Sequence, residues 1–326
     1  MTISNLVTTQ PLAPVFLRAE SEQRTNSGEQ EPLSSSAFAD AWQRAVETAD
    51  HQAPSLANNL RRLIADTPDA LPLYLTNLTA GHQREMTMAS ATIARAGGSA
   101  GGSGLLTNFE RVLKQANDGV VSDNQKLLAK YSRYIVALSE LMTRINSMVK
   151  AENDGKSNIN GNDIIDDLAK FAEDHGGETG VLDTFSSESA AKALADRFRG
   201  GTVEVFKVSP NRFGVRFALS KLAPIVNAVA GTGSAAEKLI SALKRGEPPR
   251  RNDLNGNEKG QIRGSGINAH GVQGLSLATG DVQKTHQTDL DLLLNDFSRS
   301  ISQFDNLVKL YSSLATALTE TLKSFL

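Results

Sequence analysis

The chain has 326 residues, 40% of them apolar, with 34 basic and 36 acidic side chains and a net charge of −2. That length suits one large domain or two to three small ones, and the charge balance gives no electrostatic bias toward nucleic acid. Cysteine is absent, which excludes disulfides, thiolate metal sites and cysteine nucleophiles. No apolar run approaches the roughly 20 residues of a membrane span. Aromatic residues are only 5% of the chain, low for a compact enzyme and ordinary for long helices.

Residues 1–36 are rich in Ser, Thr, Gln and Glu. They lack a basic stretch followed by an apolar block, so they do not read as a cleaved signal peptide. Their composition predicts a disordered, secretion-signal-like segment. Residues 37–96 predict an N-terminal helical hairpin. Phe38, Trp42, Ala45, Val46 and Ala49 share one face behind a Ser34-Ser35-Ser36 run able to cap it. Pro54 is expected to end that segment or start the next. Leu56, Leu60, Leu63 and Ile64 mark a second helix stopped near Pro68, and a less regular third runs from about Leu73 to Ala96.

Residues 97–104 form a Gly/Ser linker by composition. The string contains G-x-S-x-G around Ser99, but a nucleophile elbow needs a strand before it, and helix-forming residues stand there instead. The first coiled-coil arm is expected over 105–151. After a short helix around Leu105–Ala116, Leu128, Tyr131, Ile135, Leu138, Met142, Ile145 and Val149 recur at steps of three and four. Leu127, Tyr134, Leu141 and Met148 widen the stripe at the g positions.

A distal mixed α/β insertion fills 152–281. Asn158, Asn160 and Gly161 hint at a calcium loop, yet Lys156 stands where its first Asp belongs and no Glu closes it. A polar turn accounts for them, and Asp163 then caps a helix over Ile164–His175, with Asp166 and Asp167 in the dipole-favoured first turn. Ser187–Phe198 predicts another short helix. Thr202–Val208 and Arg212–Leu219 alternate around Ser209-Pro210-Asn211, a β-hairpin with Val203, Val205, Phe213, Val215 and Phe217 on one face. Helices over Leu222–Ala230 and Ala235–Lys244 flank Gly231-Thr232-Gly233. That G-x-G-x-x-A string lacks the preceding strand and repeated βαβ units of a dinucleotide site. Residues 246–281 are polar and Gly-rich and predict a long returning loop. His51, His82, His175, His270 and His286 show no helical pairing, so no metal site, cofactor or acid–base pair is expected.

The second arm is expected over 282–326. Leu290, Leu294, Phe297, Ile301, Phe304, Val308, Tyr311, Ala315, Leu318, Leu322 and Phe325 form an unbroken heptad seam, with Leu293, Leu307 and Leu314 adding a g stripe. From Asp289 to Leu326 there is no Pro or Gly, and such a helix would be roughly 55 Å long. Two wide stripes far apart in sequence are natural partners in an intramolecular antiparallel coiled coil, with the surplus g positions needing a further cover. The fold class is therefore mainly α: a long antiparallel coiled coil, an N-terminal helical hairpin and a small mixed insertion.

The C-terminal run Phe304-Asp305-Asn306-Leu307-Val308-Lys309, Tyr311-Ser312-Ser313 and Leu318-Thr319-Glu320-Thr321-Leu322-Lys323-Ser324-Phe325-Leu326 resembles the signature of type III secretion needle-tip proteins, the IpaD/SipD/BipD family. Tyr131, Tyr134 and Leu138-Ser139-Glu140-Leu141-Met142, followed by a Gly/Asn turn and Asp163-Ile164-Ile165, are similar to the first arm of that family. The resemblance does not extend over about 176–280. It implies a secreted, non-enzymatic virulence protein, cytoplasmic before export, that caps the needle as a homo-oligomer, usually a pentamer. It would control effector secretion and carry the translocator proteins. It further implies that the hairpin shields the coiled coil before assembly, and that a bile salt or other small host signal acts in some relatives. Asp305, Asn306 and Lys309 fall at e, f and b, outside the seam, and are the candidates for contact with the needle subunit. The competing class is a structural coiled-coil subunit of another appendage, of flagellar or hook-associated type.

Overall fold

The computed structural model describes residues 35–95, 103–148, 159–263 and 269–324. The expected disordered start, most of the 97–104 linker with Ser99, most of the turn after the first arm, and Phe325 lie outside the described residues. So do the side chains of Phe38, Trp42, Leu318 and Leu322. The fold is mainly helical with one small antiparallel sheet. It divides into two units, residues 1–129 with 294–326, and residues 130–293. The division cuts both long helices, so Ile135 falls in one unit and Phe304 in the other.

In the first unit, α1 (Ser35–Asp66) and α2 (Leu71–Arg95) form a hairpin around a 3₁₀ turn at Pro68–Ala70. Ala49, Ala53, Ala57, Leu60 and Ile64 recur at helical spacing and are all buried. That ridge runs unbroken past the exposed Pro54, which lies inside the helix and does not end it. Packing of the apolar face holds the helix across the one lost hydrogen bond. On α2 the buried positions are Leu71, Leu75, His82, Met86 and Ala89. Next comes α3 (Ser103–Ala116), which takes up Ser103 and Gly104 from the expected linker. A π-helical turn at Asn117–Val121 joins it to α4 (Ser122–Met148). Buried Phe109, Val112, Leu113 and Ala116 step regularly, but Val121 follows after five residues. The wider turn absorbs the extra residue and keeps the stripe facing the core.

The second unit holds α4 from Lys130, the early part of the last helix, and the insertion between them. Along α4, Tyr131, Tyr134, Leu138, Leu141, Met142 and Ile145 are buried. Ile135, expected in the seam, is only half-buried, and its neighbour Tyr134 takes the core instead. The reason is tertiary: the Tyr134 ring stacks on Phe217 of the insertion, centroids 3.8 Å apart. In the insertion, α5 (Gly161–His175) is capped by Asn160, whose side chain accepts from the Asn162 amide at 3.0 Å. Asp163 therefore sits in the first turn and is not the cap.

Three strands follow the order β1-β3-β2: β1 (Val181–Phe185), β2 (Val203–Ser209) and β3 (Arg212–Phe217). Between β1 and β2 lies α6 (Glu188–Ala195), capped by Ser187. Strands β2 and β3 are the expected hairpin, with Val205 opposite Val215. Strand β1 is additional, and Lys130 donates to its Val181 and Leu182 carbonyls at 3.2 and 2.8 Å. Then come α7 (Ala223–Ala230), α8 (Ser234–Arg245) and the short α9 (Gly256–Lys259).

The last helix, α10, runs from Ala269 to Ser324, 56 residues. It begins within the stretch expected to be a loop, well before 282. Leu275, Ala278 and Val282 are buried there. Burial of that ridge offsets the roughly 1 kcal/mol each that Gly271, Gly274 and Gly280 cost a helix. Thr279 donates to Asn146 at 3.2 Å, and Tyr131 meets His286 farther along, so α4 and α10 run antiparallel in this unit.

Candidate binding face of the C-terminal helix

Within the first unit, the second half of α10 is buried on more than a seam. Leu294, Phe297, Ile301, Phe304, Leu307, Val308, Tyr311 and Ala315 are buried, and so are Ser298, Ser302 and Gln303 beside them. A stripe this wide packs against partners on two sides. One side is α3: Phe109 meets the Tyr311 ring edge-on at 5.6 Å, and the Tyr311 hydroxyl donates to Glu110 at 3.2 Å.

The other side is the hairpin, which straddles α10. Helix α1 lies antiparallel to it. Asn306 Nδ2 donates to the Ala45 carbonyl at 3.0 Å, and Arg299 reaches Asp50 through two nitrogens at 2.8 and 3.2 Å. Helix α2 lies parallel to it. His82 Nε2 is 3.1 Å from Asp305 Oδ1, and Ser90 Oγ is 3.2 Å from the Tyr311 hydroxyl. The His82 ring also packs edge-on against Phe304 at 5.3 Å. The two apolar ridges, Ala49–Ile64 and Leu71–Ala89, are buried, and these polar contacts tie both helices to α10.

The sequence candidates are placed by this packing. Asp305 and Asn306 are half-buried and point to the hairpin, while Lys309 is exposed and pairs with Asp305 at 2.6 Å. Asp305 therefore lies between the His82 ring and the Lys309 ammonium. Burial opposes its charge, but hydrogen bonds from His82 and Lys309 outweigh burial and hold the carboxyl below its ordinary value. Of the seam candidates, Leu128, Phe297, Ile301, Phe304, Val308 and Tyr311 are buried in this unit. Tyr131, Leu138, Met142 and Ile145 are buried in the other.

Sequence reasoning missed His82, Asp50, Ser90, Glu110 and Arg299. None carries a local signal, because the partners lie 201 to 249 residues away along the chain.

Among the described residues, two further features are filled by the chain's own side chains. The Gly231–Ala236 string follows a helix, α7, and the start of α8 is filled by Gln261, whose Oε1 accepts from the Ala235 amide at 3.0 Å. A cleft of about 350 Å³ beside α8 is lined by Glu237, Lys238, Arg245, Arg250 and Asp253. Its cations are each tied to a carboxylate: Lys238 to Glu258, Arg245 to Glu247 and Arg250 to Glu173. Among the described residues no cluster of His, Asp or Glu could hold a metal ion, and no helix is long and apolar enough to cross a membrane.

No protein-family model matches the chain, and no curated protein sequence matches it. Among solved structures it is similar to BipD, a component of the type III secretion system of Burkholderia pseudomallei, with a TM-score of 0.50 and 16% identity. The match covers 89% of this chain and 100% of that one. The chain thus has the BipD fold, the fold of the family that its C-terminal residues resemble.

Proposed function

We propose that this chain is a needle-tip protein of a type III secretion system, of the IpaD/SipD/BipD family. The observation that carries the reading is the seat of the hairpin. Its polar contacts fall on Asp305 and Asn306, members of the C-terminal motif, and its His82 ring packs on Phe304 of the wide buried stripe of α10. A cover made of one helical hairpin with a polar rim can be exchanged for another helical partner at modest cost, because rim contacts contribute little net free energy.

In this reading the hairpin holds α10 closed in the cytoplasm and leaves it during assembly at the bacterial surface. Asp305, Asn306 and Lys309 then contact the needle subunit. Copies of the chain form a ring, a pentamer, that caps the needle, controls effector secretion and carries the translocator proteins. A small host signal such as a bile salt would act where the hairpin meets the long helices. The role is not enzymatic.

The test mixes purified chain with needle subunit and follows mass in solution and co-sedimentation with preformed needles. A variant lacking residues 1–102 should self-associate or bind needle subunit at concentrations where the full chain stays monomeric. An unchanged oligomeric state at high concentration would remove the exchangeable-cover role. Export that does not depend on a type III apparatus would favour a subunit of another appendage.

A further inference from the structure

In the second unit the two long helices are joined by a buried polar chain. Asp289 of α10 is fully buried, and its carboxylate accepts from the Gly200 amide at 2.8 Å and from the Thr202 hydroxyl at 2.6 Å. Thr202 has one hydroxyl proton and gives it to Asp289. Tyr131 of α4 donates to the Thr202 oxygen at 2.9 Å, the shorter of its two acceptors, the His286 carbonyl lying at 3.4 Å. The Tyr131 oxygen is left to accept, and His286 Nδ1 lies 3.4 Å away. This order assigns the neutral His286 proton to Nδ1 and leaves Nε2 bare. That nitrogen is buried without a partner, as is the nearby Tyr134 hydroxyl.

The surroundings disfavour a second proton. Tyr131 and Tyr134 face His286 from α4, with the Tyr134 ring centroid 5.1 Å away, and His175 of α5 meets the same Tyr134 ring edge-on at 5.6 Å. Lys221, from the 3₁₀ turn before α7, adds repulsion. Asp289 is already satisfied by Gly200 and Thr202, and Asp174 on α5 favours charge on the His175 ring but is outweighed there by burial. A cationic His286 would therefore be a buried charge with no carboxylate hydrogen-bonded to it, which burial penalises heavily. Burial, with Lys221 behind it, pushes the His286 imidazole down to about 3, and burial also lowers His175.

We infer that His286, which shares the Tyr134 ring with His175, makes the second unit an acid-sensitive clasp. Proton uptake opens the packing of the sheet and the 200–202 loop on α4 and α10. The sign follows from linkage. At neutral pH the His286 ring is neutral in the closed form. Below the ordinary histidine value the open form binds a proton that the closed form excludes, so closure weakens as pH falls from about 6.5 toward the depressed value. One proton gives about a tenfold rise in the opening constant per pH unit. The inference stands apart from the needle-tip reading, because it concerns the insertion and not the hairpin.

Hydrogen exchange on the full chain between pH 7.5 and 4.5, corrected for intrinsic exchange, tests it. Segments 200–217 and 282–290 should lose about tenfold protection per pH unit below about 6.5, while 45–66 and 297–311 hold theirs. His286→Gln should flatten that dependence. Flat exchange in the natural chain, an equal loss in both units, or a slope unchanged in His286→Gln would each overturn the clasp. If that variant does not fold, nitrogen-labelled histidine NMR on the natural chain decides. A His286 ring that stays neutral in the closed form supports the clasp, and one that titrates at the ordinary value while the sheet stays protected sinks it.

Discussion

Arg299 holds Asp50 with two guanidinium nitrogens, Nε to Oδ1 at 2.8 Å and Nη2 to Oδ2 at 3.2 Å, across 249 residues of sequence. Both side chains are about half exposed. Solvent and salt screen such a pair, so its net contribution is small however good the geometry. Arg299→Ala is expected to cost less than about 1 kcal/mol. Leu60→Ala, which empties a fully buried site on α1, should cost about 2–5 kcal/mol. Thermal unfolding of the two variants checks the order. If Arg299→Ala is the more damaging, the hairpin is held by its rim and not by its ridges.

Asp305→Lys removes the partner of His82 and sets a cation beside Lys309. Helix content by circular dichroism should not change, because the residue lies on a continuous helix, α10. Hydrogen exchange in 78–90 should rise, and capping of needles should weaken. Loss of helix would assign Asp305 to folding. The depressed carboxyl adds a pH signature: its stabilisation is present above the ordinary carboxylate value and is lost as pH falls through the lower folded value. The loosening of α2 from this source therefore lies below about pH 4, separate from the histidine window of the second unit.

Gly200 packs directly on α10. A Cβ placed there would lie 2.8 Å from both Asp289 Oδ2 and Thr285 Cγ2. Gly200→Ala should cost about 1–3 kcal/mol through this overlap and should loosen the 200–202 loop first. Thr202→Val keeps the volume but removes the hydroxyl that serves both Asp289 and Tyr131. Leaving buried partners unsatisfied costs about 1–3 kcal/mol. Chemical unfolding of each variant reads these values, and a neutral Gly200→Ala would show that the loop can retreat from α10.

The residue pattern alone specified the long helices, the β2–β3 hairpin and the wide apolar stripe ending in Phe304–Tyr311, because helical and strand periods are local and survive without a partner. Position 135 shows where that reach ended. Ile135 and Tyr134 are equally apolar in a heptad count, and only the arrival of Phe217 from the insertion chose Tyr134 for the core. The start of α10 was hidden for a related reason. Its glycines read as loop, and its ridge continues through His286 and Asp289, two polar residues that enter the core only because Tyr131, Thr202 and Gly200 meet them there. The hairpin's seat on Asp305 and Asn306 was likewise settled by packing between segments more than 220 residues apart. Periodicity says which face of an element must be covered; what covers it depends on contacts between distant segments, and only the folded chain supplies those.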